Sequence, residues 1–472
     1  VTHQDQSWTF DSQHGIHALW GGYDNMRAML ERFLKLPLRP SDGEVWINRW
    51  GAEVRAVEAG SLIRHTWMPA PFHYLRLLLR PQFWLSITPL DFLSLPGYLL
   101  SMLWACGYDP ISEQSGLKGL GMNEFFRGWT PNLKATFVGL GHSLLAAPSE
   151  SIHLSSFIAA MRYYTLLRRD LWHLDYLPSN PHTCLHQPIQ GQIEVAGGKV
   201  VLGALVKRLT YEDGYWQIQF EETQRGMART LTAQHVILAV DPQAARQLLL
   251  DSPSTAPQAA QLEFPPALRN ATVRLWFDCA PQTQAMGGMF TGDFMVDNFF
   301  WLHRMQDEFI TWHDVTGGSA IEVHLYASDA ILAKPDELLI IEATKEVYAA
   351  FPELRGHFIH GSLRRNNTTQ TEFHIPTERS LWVKTPWPTL HACGDWVGYP
   401  HPSFWMERCT VTGIAAANAV LADLQGPQAL YPIIPARPPE WLARFLGGVV
   451  KAGRRLLGPP ILALARALRR RG

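Results

Sequence analysis

Cysteine is scarce in this chain. The 472 residues hold five, at Cys106, Cys184, Cys279, Cys393 and Cys409, and no two form a C-x-x-C pair. An odd count without paired spacing argues against a disulfide framework and for a reducing compartment. An excess of one charge is also lacking. The formal net charge is -1, so no nucleic-acid partner is expected. The 19 histidines include no H-E-x-x-H or comparable spacing, and no metal is expected. Residues 1–14 are polar, with Asp5 and Asp11, and do not read as a signal peptide. No uncharged apolar run reaches the roughly 18 residues of a spanning helix. Leu90–Cys106 comes nearest, but Asp91 and Pro96 interrupt it, which favours a buried or interfacial helix. Strand–G-x-G-x-x-G–helix, the dinucleotide-binding opening, does not occur either. GLKGLG at 116–121 has its glycines in the wrong order.

What is present is length, apolar bulk and aromatic rings. A chain of this size exceeds the roughly 250–300 residues at which single cores split, so two domains are expected. Apolar residues make up 47%, with 18 Trp and 22 Phe, which suits large cores or a pocket for an apolar substrate. An amphipathic helix is predicted at Tyr23–Leu34, and 61–180 reads as helical. Strands are predicted at Val195–Leu205, Tyr215–Phe220, Val236–Val240, Ala271–Phe277 and Ala320–Tyr326. A helix is predicted at Pro335–Ala350. Strand-rich pieces separated by helical insertions point to a parallel-sheet domain assembled from distant segments, with a second domain built from the insertions.

The most informative segment is Leu390–Ala419, LHACGDWVGYPHPSFWMERCTVTGIAAANA. A short apolar strand ends in Gly394-Asp395, and after a loop a helix begins near Met406. Gly394 permits close backbone approach to a ligand. Asp395, at a strand's carboxyl end, can accept hydrogen bonds from ribityl or ribose hydroxyls. The helix N-terminus offers free N–H groups to an electron-rich oxygen. Gly413 and the alanines, Ala416 among them, allow close packing against a sheet or cofactor. A plain strand–loop–helix connection is the simpler alternative.

This pattern resembles the C-terminal flavin motif of the amine oxidase and carotenoid desaturase superfamily, in its phytoene-desaturase branch. The matching residues are Gly394, Asp395, Met406, Glu407, Gly413 and Ala416. The resemblance implies that Asp395 holds the ribityl–phosphate side of FAD and that the backbone near Met406 faces the flavin ring. Arg408-Cys409 departs from the small pair usual there. A second stretch, FDSQHGIHALWGGYDN at 10–25, is similar to the family's segment after its flavin-binding opening, through Asp11, Gly15, His17, Trp20, Gly21, Tyr23 and Asn25. His14 and His17 could polarise flavin or substrate; a hydrogen-bonded core histidine is an equally good reading. Third, the resemblance implies a backbone contact from Val206 to adenine. Ala239–Pro242 matches the family's Ala-x-Pro strand end with one residue extra.

The resemblance covers about residues 5–425, without the family's opening segment. A fragment, a separate chain supplying that nucleotide-binding segment, or lost cofactor binding would each account for this. The implied fold is α/β: a discontinuous FAD/NAD(P)-binding Rossmann-like domain plus a mixed-sheet and helical substrate domain. Residues 1–60, 185–265 and 380–425 would form the first, without its first βαβ unit, and 61–184 with 266–379 the second. The implied activity is FAD-dependent hydride removal from an apolar isoprenoid such as a carotene, with no single catalytic base implied. Another oxidoreductase of the superfamily, such as a carotenoid isomerase, a ring-aromatising enzyme, a hydroxysqualene-processing enzyme or a protoporphyrinogen oxidase, is the first alternative. A non-catalytic membrane-associated remnant is the second. Finally, 432–472 reads as a basic amphipathic tail. From Arg437 onward it has nine Lys or Arg against one acid, Glu440, among Trp441, Phe445 and Val449. That suits peripheral contact with an anionic membrane from the cytoplasmic side.

Overall fold

The computed structural model describes residues 1–472 apart from 42, 51–52, 85–87, 114–116, 118 and 470–472. Its largest sheet has seven strands. In spatial order they are Phe358–Thr371, Ala267–Phe277, Ser319–Leu325, Asn298–Trp301, Gly287–Phe290, Glu44–Trp50 and Glu53–Glu58. Residues 44–58, expected with the nucleotide-binding piece 1–60, are thus the last two strands of this sheet.

Alternation along the strands gives the sheet two unlike faces. Val273, Leu275, Ile321 and Val323 point into an apolar core closed by helix Asp336–Ala350 through Leu339, Ala343 and Val347. The opposite face carries Thr272, Arg274, Glu322 and His324, all buried. A second, larger core is helical. It joins Leu19, Tyr23, Met26 and Leu30 to helices Leu95–Gly107, Pro131–Leu145 and Leu154–Met161.

The third core holds the strand–loop–helix segment. Val236–Leu238 pairs in parallel with Leu390–Ala392. Against them packs an antiparallel meander, Ala204–Glu212, Tyr215–Glu222 and Met227–Ala233, through Leu209 and Trp216. Asp213 and Gly214 both have positive φ in its first hairpin, as an Asp-Gly turn requires. The strand predicted at Val195–Leu205 is not one. Helix Gln187–Val195 ends there, and the strand begins only at Ala204. Two consecutive glycines, Gly197 and Gly198, end the helix and carry no strand signal of their own, so periodicity misled. The extra residue in Ala239–Pro242 also has a reason. Asp241 caps helix Pro242–Asp251, accepting from the Gln243 and Ala244 N–H groups, with Pro242 at its first turn.

The five cysteines are free. The tail is a helix, Trp441–Arg469, and its first turns belong to the body. Ala443 is buried, and the Glu440 carboxylate accepts from the Ala70 and Arg169 N–H groups. It crosses helix Leu95–Gly107 so closely that a Cβ on Gly447 would stand 2.7 Å from the Cys106 carbonyl. Arg454 pairs with Glu113 at 2.7 Å and sits over the Tyr108 ring. Of the second tail block, ILALARALRRR, only the helical backbone to Arg469 is described.

Candidate flavin and substrate cleft

The polar face of the seven-stranded sheet, the loop at 14–18 and the start of helix Trp405–Gln425 enclose a cleft of about 690 Å³. Gly15, His17, Asp395 and Met406 all line it, although 391 positions separate the first from the last. Gly394 and Glu407 flank it without lining it. Gly394 has φ +145, which L side chains rarely adopt, and its N–H donates to the Thr412 hydroxyl at 3.0 Å. That clamp ties the turn to the helix and aims Asp395 inward. Thr371 is the side-chain donor near Asp395, at a long 3.5 Å. Its depth in the protein pushes the Asp395 carboxyl up to about 6, against the pull of the Arg408 guanidinium. The backbone N–H groups of Asp395 and Trp396 also bond this carboxyl, and a carboxyl that lines the cleft can still accept from a ligand's hydroxyls.

Glu407 has a different task from cofactor contact. Its carboxylate accepts from the N–H groups of Asn25 and Met26 at 3.0 and 2.8 Å, and from the Asn25 amide at 2.8 Å. It therefore caps helix Asp24–Phe33, whose own cap residue, Tyr23, supplies no side-chain bond. Asn25 in turn exchanges hydrogen bonds with the backbone of Ile434. The two motifs read separately in the sequence are halves of one buried junction.

Arg408, the large residue where a small one is usual, turns away from the cleft. It is buried and donates to the carbonyls of Val397 and His401, organising the loop before the helix. Cys409 lines the cleft. Val206, Gly413 and Ala416 do not. Val206 is 37% exposed on the outer strand of the meander. Gly413 has nothing within 4 Å of where a Cβ would stand, so no close approach inside this chain requires it. Ala416 is buried where the helix meets the strands.

Sequence reasoning passed over a buried charged network behind the cleft, which reaches the lining through His324 and Tyr326. Arg274 Nε donates to Glu322 at 2.7 Å, and His324 spans Glu322 and the Tyr326 hydroxyl, 2.8 Å from each. Burial raises the Glu322 carboxyl, but Arg274 and His324 outweigh it and hold it at about 2. The signal was present in AIEVHLY, where Glu322, His324 and Tyr326 occupy alternate positions of an apolar strand. His17 stands 4.9 Å from His14, ring to ring, and its Nδ1 has no partner among the described residues. Burial, then His14, lowers it to about 4, so it is neutral at pH 7. The cleft's lining also has an apolar part, with Trp20, Trp46, Trp172, Leu174 and Phe300.

The sequence profile of the flavin-containing amine oxidoreductases matches residues 108–421. The chain belongs to that family. Membership implies FAD as the cofactor, and Asp395, the Gly394 turn and the helix start at Trp405 fit its flavin half. Bound FAD supplies a two-electron acceptor for hydride. Two curated relatives are carotenoid phi-ring synthases. That of Chlorobaculum tepidum is 31% identical over 166 residues, which is 34% of this chain and 25% of that protein. That of Streptomyces griseus is 28% identical over 202 residues, 41% of this chain and 38% of that protein. The chain thus spans well under half the length of the curated relatives it matches. Solved structures share the fold at low identity. Putrescine oxidase bound to putrescine superposes with a TM-score of 0.59 at 12% identity, covering 86% of this chain and 88% of that one. Cyclohexylamine oxidase from Brevibacterium oxydans gives 0.57 at 14%, covering 85% and 86%.

Proposed function

We propose that this protein removes hydride from an apolar isoprenoid of the carotene class, and that the end ring of the carotenoid is the part oxidised. The observation that carries the substrate class is the aromatic and aliphatic lining of the same cleft that holds Asp395 and Met406. The choice of the end ring rests on the similarity to carotenoid phi-ring synthases. A second, apolar chamber lined by Tyr74, Phe92, Leu95, Tyr98 and Phe137 shares Trp46 with the cleft. At about 40 Å³ it is too small to take a substrate chain, so the substrate class rests on the cleft alone.

That chamber borders the surface proposed to meet a membrane. Pro89–Gly107 is the one described helix long and apolar enough, by composition, to cross a bilayer. One side of it, through Tyr98, Met102 and Ala105, is built into the core, so an interfacial position fits better. Leu90, Leu93 and Leu100 are exposed on it, as are Trp441, Phe445 and Val449 on the crossing tail helix. Arg444 and Arg455 add exposed positive charge for an anionic, cytoplasm-facing leaflet. For the nucleotide half of FAD, we propose a separate strand–glycine turn–helix segment. Among the described residues Val236–Leu238 pairs on one side only, beside exposed Ile237 and Val240, and that free edge suits an added parallel strand.

The test is expression in a carotene-accumulating bacterial host, with the glycine-turn segment co-expressed. Chromatography and mass spectrometry should show a carotenoid lighter by pairs of hydrogens with an aromatic end ring. Flavin-loaded protein that leaves the carotenes unchanged and oxidises an aliphatic amine instead would overturn the reading.

A further inference from the structure

Strand pairing brings together three side chains that the cleft does not use. The parallel register sets Ile237 opposite His391. Side chains alternate along a strand, so His235, two residues before Ile237, shares that face with His391. The last turn of helix Trp405–Gln425 brings Asp423 beside them. One ligand atom from each of His235, His391 and Asp423 lies within 4.8 Å of the others. The two imidazole rings stack with centroids 6.2 Å apart and planes 12° from parallel.

His391 is 6% exposed, and neither of its ring nitrogens has a hydrogen-bond partner among the described residues; nor does Nδ1 of His235. Buried polar groups nearly always find a partner, so a buried imidazole with none points to an ion or water in contact with it. Asp423 is exposed, which leaves a path from solvent.

We propose that His235, His391 and Asp423 form a divalent transition-metal site, suited to zinc, with two imidazole nitrogens, one carboxylate oxygen and water as ligands. The donor set is one that zinc accepts, and four-coordinate zinc needs ligand atoms about 3.4 Å apart, within reach of small side-chain rotations. The ion would fasten the far end of the helix that carries Met406 and Cys409 to the strands that carry Asp395. None of the three ligands lines the cleft, so the role is structural. Another cluster, His153, Glu372 and His374, already satisfies itself, with His374 Nε2 and Glu372 Oε1 2.7 Å apart, and serves as the control.

The experiment is a titration of the purified full chain with Co²⁺ and then Zn²⁺. One equivalent of Co²⁺ should bind with the visible absorption of a four-coordinate site, and Zn²⁺ should displace it. His391→Ala and Asp423→Asn should each weaken Co²⁺ binding at least tenfold and abolish that absorption, while His374→Ala should retain both. Asp423→Asn decides if His391→Ala does not fold, because Asp423 is exposed. Absence of saturable binding, binding unchanged in Asp423→Asn, or binding lost in His374→Ala instead would each overturn the proposal.

Discussion

Replacing Glu407 by Ala should loosen helix Asp24–Phe33 locally while the rest of the fold stands. The substitution strips the acceptor from two backbone N–H groups and one side-chain amide, all in a junction where Glu407 is 1% exposed. An orphaned buried donor costs about 1–3 kcal/mol, so three of them cost about 3–9 kcal/mol. Burial raises the Glu407 carboxyl above its ordinary range, so removing the charge returns part of that. A net cost of about 3–5 kcal/mol remains, equivalent to roughly two to four orders of magnitude in the opening equilibrium. Hydrogen exchange with mass spectrometry, on a peptide spanning 20–34, reads this directly. Its amides should exchange at least a hundredfold faster in Glu407→Ala, while a peptide spanning 319–325 stays as in the parent. Glu407→Gln, which keeps one acceptor oxygen, should lie between. Equal protection of the 20–34 peptide in parent and Glu407→Ala would refute the capping role.

Asp395→Ala should weaken flavin retention by about 1.5–3 kcal/mol, the value of a hydrogen bond to a charged group, measured as flavin content and affinity by fluorescence. Without flavin, the raised Asp395 carboxyl gives a sign for pH. Its stabilising contribution is full below its unfolded value near 4 and is lost as pH rises through about 6. The flavin-free protein should therefore gain stability from pH 8 to pH 5, and Asp395→Asn should flatten that gain in thermal melts. Glu322 carries the opposite sign. Its contribution is present above about 4.3 and lost as pH falls toward 2, so Glu322→Gln should blunt acid unfolding over that range while lowering stability at pH 7. The combined changes Leu93→Glu, Leu100→Glu and Phe445→Glu should cut sedimentation with anionic liposomes by about three orders of magnitude in partitioning, at about 1–2 kcal/mol each. Undiminished binding would assign the membrane contact to another surface. Deleting 437–472 is a poorer test, because Glu440 and Ala443 are part of the body.

Much of the cleft was legible in one dimension. Gly394-Asp395 followed by Met406 reads as a turn and a helix start because a short apolar strand, a glycine and a run of small residues are local signals. Gly15 and His17 were legible as a pair for the same reason. Local pattern also settled the helix at Asp24–Phe33 and the strands whose apolar residues alternate. What it did not reach depends on partners far apart in the chain. Nothing near Glu407 says that its carboxylate will cap a helix beginning 383 residues earlier, and nothing near Arg408 says that its guanidinium will gather loop carbonyls rather than block a ring. Residues 44–58 joined the seven-stranded sheet because strand pairing is decided across the sheet, not along the chain. The Arg274–Glu322–His324 network and the unpartnered imidazoles of His235 and His391 follow from register, which sets charged or polar groups of separate strands on one face. Sequence by itself determined most of the elements, the Gly394-Asp395 turn and the family. Tertiary structure alone decided which buried polar groups meet, because a buried charge or imidazole takes its role from whatever distant group replaces the water it has lost.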